Sequence, residues 1–144
     1  VPVINENEDY KFELGKAITL REGTDVTIIA SGLPVSESLS AAEKLAQDGI
    51  SAEVINIHTI KPLDEEAVIK AAEKTGKIVT VEEHSVIGGL GSAVCDVAAQ
   101  KTSAKVLKIG IEDVFGESGP AVQLIKKYGL DAESIYEKVK EFVK

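Results

Sequence analysis

Short apolar runs rich in β-branched residues alternate along this chain with longer segments in which apolar side chains recur every three or four positions. Glycine, proline or an acidic residue marks each change. Val26 to Ala30 (VTIIA) is apolar or β-branched throughout, the pattern of a strand covered on both faces in a mostly parallel sheet. Val54 to Ile57, Ile78 to Val81 and Val106 to Ile109 repeat the signal with more polar residues, and Ala17 to Leu20 is a fifth, weaker candidate. The gap from Leu20 to Val26 is too short for a crossover helix, so the first strand is predicted antiparallel or at an edge.

Between these strands the period lengthens. Val35, Leu39, Ala42, Leu45 and Ala46 line one face of a helix predicted over 34–48, with Pro34 suited to its first turn and Gly49 to its stop. Asp64 is placed to cap a second helix that carries Val68, Ala71 and Ala72 and ends at Gly76. A third runs from about Gly89 to Gln100, with Leu90, Ala93, Val94, Val97 and Ala98 facing inward. Ser118 and Pro120 open a helix carrying Val122, Leu124 and Ile125 and closed by Gly129. Leu130 and Ile135 then bracket Asp131 as a hydrophobic staple for a last helix. This strand-helix alternation is α/β, with no linker, repeat or low-complexity segment.

Composition narrows the functional classes. A chain of 144 residues with 44% apolar content suffices for one domain and its own core. The 24 acidic against 16 basic residues give a net charge of −8, which opposes nucleic-acid binding. No apolar run reaches the roughly 20 residues a membrane span needs, and the acidic start lacks a signal pattern. The single cysteine, Cys95, cannot form an internal disulfide, and a cytoplasmic, reducing compartment is the expectation. The absence of methionine, even at position 1, suggests a piece processed or excised from a longer chain.

In open α/β sheets, ligands bind beyond the carboxyl ends of the strands where successive connections diverge. That rule directs attention to Ser31-Gly32-Leu33-Pro34, His58 to Pro62, Glu82-Glu83-His84-Ser85 and Glu112 to Gly119. Glu83 beside His84 has the composition of a general acid-base pair, but neighbours on a strand face opposite ways, so the pair works only if the strand has ended. The plainer reading is a carboxylate accepting loop amides and a histidine at an interface. Gly88-Gly89-Leu90-Gly91-Ser92 opens a helix whose free amides suit a phosphate, yet the dinucleotide fingerprint fails because its third glycine falls on Val94. Close packing of helix on sheet explains these glycines better. Phe115 to Pro120, with Gly116 and Ser118, exposes amides at another helix start, or forms a capped turn over a buried Phe115. His58 and His84 lack metal-ligand spacing, Cys95 reads as an inert thiol beside inward-facing Val94, and no nucleophile elbow or Walker loop occurs.

Leu20 to Ala30 (LREGTDVTIIA), Thr59 to Asp64 (TIKPLD), Thr80 to His84 (TVEEH), Gly88 to Gly91 and Phe115 to Gly119 together resemble the C-terminal domain of transketolases over essentially the whole chain. The resemblance is nearest to transketolases encoded as two chains. The alternative within the resemblance is the equivalent domain of a related thiamine enzyme; deoxyxylulose-phosphate synthases usually carry Glu-His-Gly where Glu117-Ser118-Gly119 stands, 2-oxoacid dehydrogenase E1 β-chains usually carry Glu-Glu-Gly where His84 stands, and both departures favour transketolase. The resemblance implies a three-layer α/β/α domain with a five-stranded, mixed, mostly parallel sheet whose first strand is antiparallel. The strand ending at Ala30 would be central, with a crevice between Ser31-Gly32 and Glu83-His84 and with His58 on the other side.

It also implies that thiamine diphosphate and Mg²⁺ belong to the complete enzyme, held between pyrophosphate- and pyrimidine-binding domains of two subunits. No cofactor motif of that kind occurs in this chain, so no catalytic, cofactor-binding or metal residue is assigned. The candidate crevice and interface set is Ser31, Gly32, Glu83, His84, Gly88, Gly89, Gly116 and Ser118. The expected role is a non-catalytic assembly domain, inactive alone, in a dimeric transketolase that moves a two-carbon ketol unit between sugar phosphates, as in the pentose phosphate pathway. Two other readings compete. One is a stand-alone anion- or nucleotide-binding regulatory module at the Gly88 and Ser118 helix starts; the other is a small enzyme built on Glu83 and His84. A response regulator is disfavoured because Ala30-Ser31-Gly32 offers no phosphoacceptor acid.

Overall fold

The β-branched run at its centre organises the molecule. In a computed structural model, which describes residues 16–32, 34–57, 63–85, 89–111 and 130–144, strand β2 (Val26–Ala30) is buried at every position. It pairs in parallel with β3 (Ala52–Asn56) on one side and β4 (Lys77–Ser85) on the other. Strand β5 (Lys105–Ile111) adds in parallel outside β4, and β1 (Ile18–Arg21) closes the opposite edge antiparallel to β3. The order β1-β3-β2-β4-β5 is the mixed five-stranded sheet expected, with its one antiparallel strand at an edge.

Strand alternation sorts the core into two layers. Val26, Ile28 and Ala30 point to the face covered by α1 (Pro34–Gln47) and α4 (Ala132–Phe142), where they meet Leu45, Leu130, Ile135 and Val139. Ile29, Ile55 and Ile78 point to the other face and meet Val68 of α2 (Glu65–Thr75) and Leu90 and Val94 of α3 (Leu90–Lys101). The face of α1 is rotated from the expected one: Ser38 and Ala41 are buried with Val35, Ala42 and Leu45, while Ala46 is exposed. Alanine carries too little apolar area to fix a helix's rotation, so the larger Val35 and Leu45 decide it.

Caps and turns follow the sequence closely. Asp64 caps α2 through Oδ1, which accepts from the Ala67 amide at 3.2 Å, while its Oδ2 accepts from Ala17 N at 2.8 Å and ties down the start of β1. Gly76 ends α2 at φ 71°, a left-handed conformation that favours glycine. Leu130 and Ile135 are both buried around Asp131, as a staple requires. The Asp131 side chain makes no cap bond; Glu37 of α1 instead accepts from the Ala132 amide at 3.1 Å. The helix expected after Ser118 and Pro120 lies outside the described residues.

One strand differs from expectation in a way that bears on function. Strand β4 runs through Glu82, Glu83 and His84 to Ser85, four residues beyond the apolar run that announces it. Its pairing with β5 is regular from Lys77 to Val81 and then slips. From Val81 to Ser85 β4 advances four positions while β5 advances two, from Ile109 to Ile111. The extra residues fall within Glu82–His84, a bulge of the kind that bends a strand and re-aims its side chains.

Candidate functional site

The carboxyl ends of β2 and β4 lie side by side where the chain leaves the sheet in opposite directions, from β2 into α1 on one face and from β4 into α3 on the other. Ser31 continues the ladder for one more bond, its amide donating to the Val81 carbonyl at 3.4 Å. Gly32 then turns the chain at φ 71°, and its carbonyl accepts from Val35 N at 3.1 Å in the first turn of α1. On the other flank of β2, the Ala30 carbonyl accepts from Ile57 N at 3.0 Å.

Across the crevice the decisive side chain is Glu82. Counting in twos from Ile78 along β4 puts Thr80 and Glu82 on the α2–α3 face. There the Glu82 carboxylate is buried, only 1% exposed, with one oxygen accepting from Leu90 N at 2.8 Å and the other from Gly91 N at 2.7 Å. Gly89, the N-cap residue of α3, has no side chain to satisfy these amides, so a glutamate from the sheet does it. The arrangement supplies a negative charge to the positive end of the helix and leaves both orphan donors paired.

This geometry decides between the two readings of the glycine-rich helix start. The first amides of α3 are already ligated by an internal carboxylate, which would also repel a phosphate, so the described residues there do not fit a diphosphate or nucleotide. Close packing accounts for Gly91: a Cβ at that position would lie 2.7 Å from Cδ of Lys108 and 2.9 Å from Oγ1 of Thr80. Among the described residues, no three His, Cys, Asp or Glu side chains converge on a metal-sized site.

The remaining candidates divide plainly. Ser31 and Gly32 follow the carboxyl end of β2, Gly89 is the N-cap residue of α3, and Glu83 and His84 occupy the bulged end of β4. The side chains of Glu83 and His84, and residues Gly88, Gly116 and Ser118, fall outside what is described, as does His58. Cys95 is half-buried on α3.

Sequence reasoning missed a polar cluster at the opposite end of the sheet. Glu53, buried in β3, accepts from Thr27 Oγ1 at 3.2 Å and from Lys74 Nζ at 2.9 Å, and Lys74 also bonds Glu22 at 2.9 Å. Its hydrogen bonds, first to Glu53 and then to Glu22, hold the Lys74 ammonium above the ordinary lysine range. The available signal was a charge inside an apolar strand, which demands a partner. The cluster lines one side of a cleft of about 430 Å³ between β1 and α2, where Lys16, Asp64 and the Glu66–Lys70 pair of α2 add charges of both signs.

A mixed, mostly parallel sheet with α1 and α4 on one face, α2 and α3 on the other and a topological switch point between β2 and β4 defines a three-layer α/β/α domain. The chain belongs to the transketolase C-terminal domain family, whose model matches residues 15–135. It is 52% identical over 130 residues to the 6-deoxy-6-sulfo-D-fructose transketolase subunit SqwH of a Clostridium species, covering 90% of this chain and 40% of that protein. To the putative transketolase C-terminal section of Methanocaldococcus jannaschii it is 51% identical over 144 residues, covering 99% and 45%. A solved split-gene transketolase chain, from an inactive beta4 tetramer, superposes with a TM-score of 0.89 at 44% identity, covering 98% of this chain and 46% of that one. A 1-deoxy-D-xylulose-5-phosphate synthase of Geobacter sulfurreducens also matches, at 44% identity over 132 residues. The chain thus spans somewhat under half the length of the transketolase relatives it matches. Among the described residues no helix is long and apolar enough to cross a membrane.

Proposed function

We propose that this chain is the non-catalytic C-terminal domain of a two-chain, thiamine diphosphate-dependent transketolase. In this reading residues 1–144 form one domain that buttresses a pyrimidine-binding domain, and the assembled enzyme, a cytoplasmic dimer, moves a two-carbon ketol unit from a ketose phosphate to an aldose phosphate. The observation that carries it is likeness to a split-gene transketolase chain in both fold and sequence over 98% of this chain. The self-ligated start of α3 adds to it, because the free-standing anion-binding alternative loses one of its two candidate sites. Thiamine diphosphate supplies the electron sink for carbon-carbon cleavage when bound. The start of α3, already ligated by Glu82, does not fit a diphosphate, and this reading assigns cofactor binding to the partner domains. In this reading the domain supplies a scaffold: a sheet covered on both faces, with Ser31-Gly32 after the end of β2 and Glu83-His84 at the end of the neighbouring β4.

The experiment is two-carbon transfer between sugar phosphates with thiamine diphosphate and Mg²⁺, assayed for this chain, for the rest of its parent enzyme and for the mixture. The expected result is no activity from the chain alone and a gain in the mixture over the partner alone. Activity from the chain alone would overturn the reading and favour the Glu83-His84 enzyme; a mixture no better than the partner would favour an accessory domain.

A further inference from the structure

The buried Glu82 carboxylate and the bulge beside it form one device. A bulge bends its strand and re-aims the side chains that follow, so what holds the bulged residues decides where they are presented. Here the first residue of the bulged segment is pinned. Glu82 is 1% exposed and both of its oxygens are taken by consecutive amides of α3, at 2.8 and 2.7 Å. The next two residues, Glu83 and His84, follow within the bulge before Ser85 rejoins β5 opposite Ile111. The segment is therefore anchored on one side by a clamp to the helix and on the other by the ladder.

We propose that Glu82 is a positioning residue for assembly: its carboxylate fixes the end of β4 against α3 so that Glu83-His84 is presented in a single backbone geometry at the crevice, as a contact point for the partner chain. This rests on the proposed function, since it takes the partner to be the remaining domains of the enzyme. Three features of the clamp matter. It requires two acceptor atoms for two donors, which a carboxylate has and a carboxamide lacks. It requires negative charge at a helix N-terminus. It joins β4 to α3 without belonging to either apolar cluster, so loosening it frees the end of β4 while the apolar core stays intact.

The test uses the full chain with its partner chain, comparing wild type, Glu82→Gln and Glu82→Ala at a temperature where circular dichroism finds each variant folded. Glu82→Gln sets an amide donor against one helix N–H. Glu82→Ala leaves a gap the size of acetate. The expected result is that both variants bind the partner about tenfold more weakly, equivalent to roughly 1.4 kcal/mol. Acetate should restore most of the Glu82→Ala loss, while acetamide, the same shape without charge or a second acceptor, should not. Neither additive should change the wild type. His84→Ala should weaken partner binding to a similar degree with no response to acetate.

Variants that bind and activate like the wild type would overturn the inference, as would a Glu82→Ala defect indifferent to acetate. A wild-type chain that fails to bind or activate the partner would instead defeat the functional reading, and this inference with it. The two failures are told apart by the wild-type lane.

Discussion

Lys74, in the last turn of α2, donates at 2.9 Å to Glu53, a carboxylate whose side chain is only 6% exposed in β3. The pair joins the carboxyl end of a helix to the amino-terminal part of the sheet, and Thr27 supplies Glu53 with a second bond. Removing the lysine alone leaves a buried charge short of a partner, which costs more than the pair contributes. Lys74→Met should lower the melting temperature more than the double change Lys74→Met, Glu53→Met, and a double-mutant cycle in urea measures the difference.

The same lysine sets a pH dependence. Its folded-state pKa is raised, first by the bond to Glu53 and then by that to Glu22, so the stabilisation is complete below the unfolded value of about 10.4 and fades as pH rises through the folded value. Lys44 and Lys140 are raised as well, through Glu133 and Tyr136 respectively, and share that alkaline window. Urea midpoints between about pH 9 and 12 should fall in the wild type and fall less steeply in Lys74→Met. Equal slopes would mean that Lys74 gains nothing on folding.

At the acid end the sign reverses. Asp48, at the end of α1, accepts hydrogen bonds from the Tyr136 hydroxyl and lies 3.3 Å from Lys140 Nζ, both on α4. The Tyr136 bond first and the Lys140 bond second lower its pKa, so its contribution is present above about pH 3.9 and disappears as pH falls through the depressed folded value. Asp48→Asn should therefore flatten the acid limb of the stability curve. Tyr136→Phe should weaken α4 docking by at most about 1 kcal/mol, read as faster amide exchange in α4.

Much of this architecture was legible because burial on both faces leaves an apolar trace, as in Val26–Ala30, and because Asp64 and Gly76 mark the ends of α2 by chemistry that needs no tertiary context. What escaped was burial achieved by hydrogen bonds. Strand β3 begins at Ala52 rather than Val54 because Glu53 is neutralised by Lys74, a partner 21 positions away that hydropathy does not see. Strand β4 continues past Val81 because Glu82 is satisfied by α3. The expected location of the crevice came from the family resemblance, which puts the strand ending at Ala30 at the centre of the sheet, because the order of elements along the chain does not by itself say which strands are neighbours. The role of Glu82 within Glu82-Glu83-His84 required the strand's face, and alternation from Ile78 would have supplied it once the strand was known to run on.

Asp64 joins two elements through one carboxylate, and both ends can be tested at once. Its Oδ1 caps α2 at Ala67 and its Oδ2 holds the amide of Ala17 ahead of β1. Asp64→Ala should cost about 2 kcal/mol, from a lost cap and a lost charged hydrogen bond. Asp64→Ser keeps a capping oxygen but is too short to serve both amides, so it should restore α2 while leaving β1 frayed. Hydrogen exchange resolved by residue distinguishes the two: slow exchange in α2 with fast exchange over Ile18–Arg21 is the expected pattern for the serine variant.

Gly91 is the point where α3 comes closest to the sheet, and its neighbours make the cost of a side chain separable. A methyl there would meet Lys108 Cδ at 2.7 Å and Cγ at 2.9 Å, and Thr80 Oγ1 at 2.9 Å. The lysine stem is flexible and its residue exposed, so it can swing aside; the threonine is fully buried in the centre of β4 and cannot. Gly91→Ala should therefore destabilise the fold by about 1–3 kcal/mol, the usual range for overpacking. Adding Lys108→Ala should recover only a minor part of it, whereas adding Thr80→Ala should recover more, because it removes the contact that cannot yield. Because the Gly91 amide also ligates Glu82, any helix shift that relieves the clash lengthens that bond. Gly91→Ala should then weaken partner binding in the same direction as Glu82→Ala, and Thr80→Ala should partly restore both stability and binding. Equal rescue by the lysine and threonine changes would show that α3 moves away from the sheet as a body instead of pivoting on Thr80.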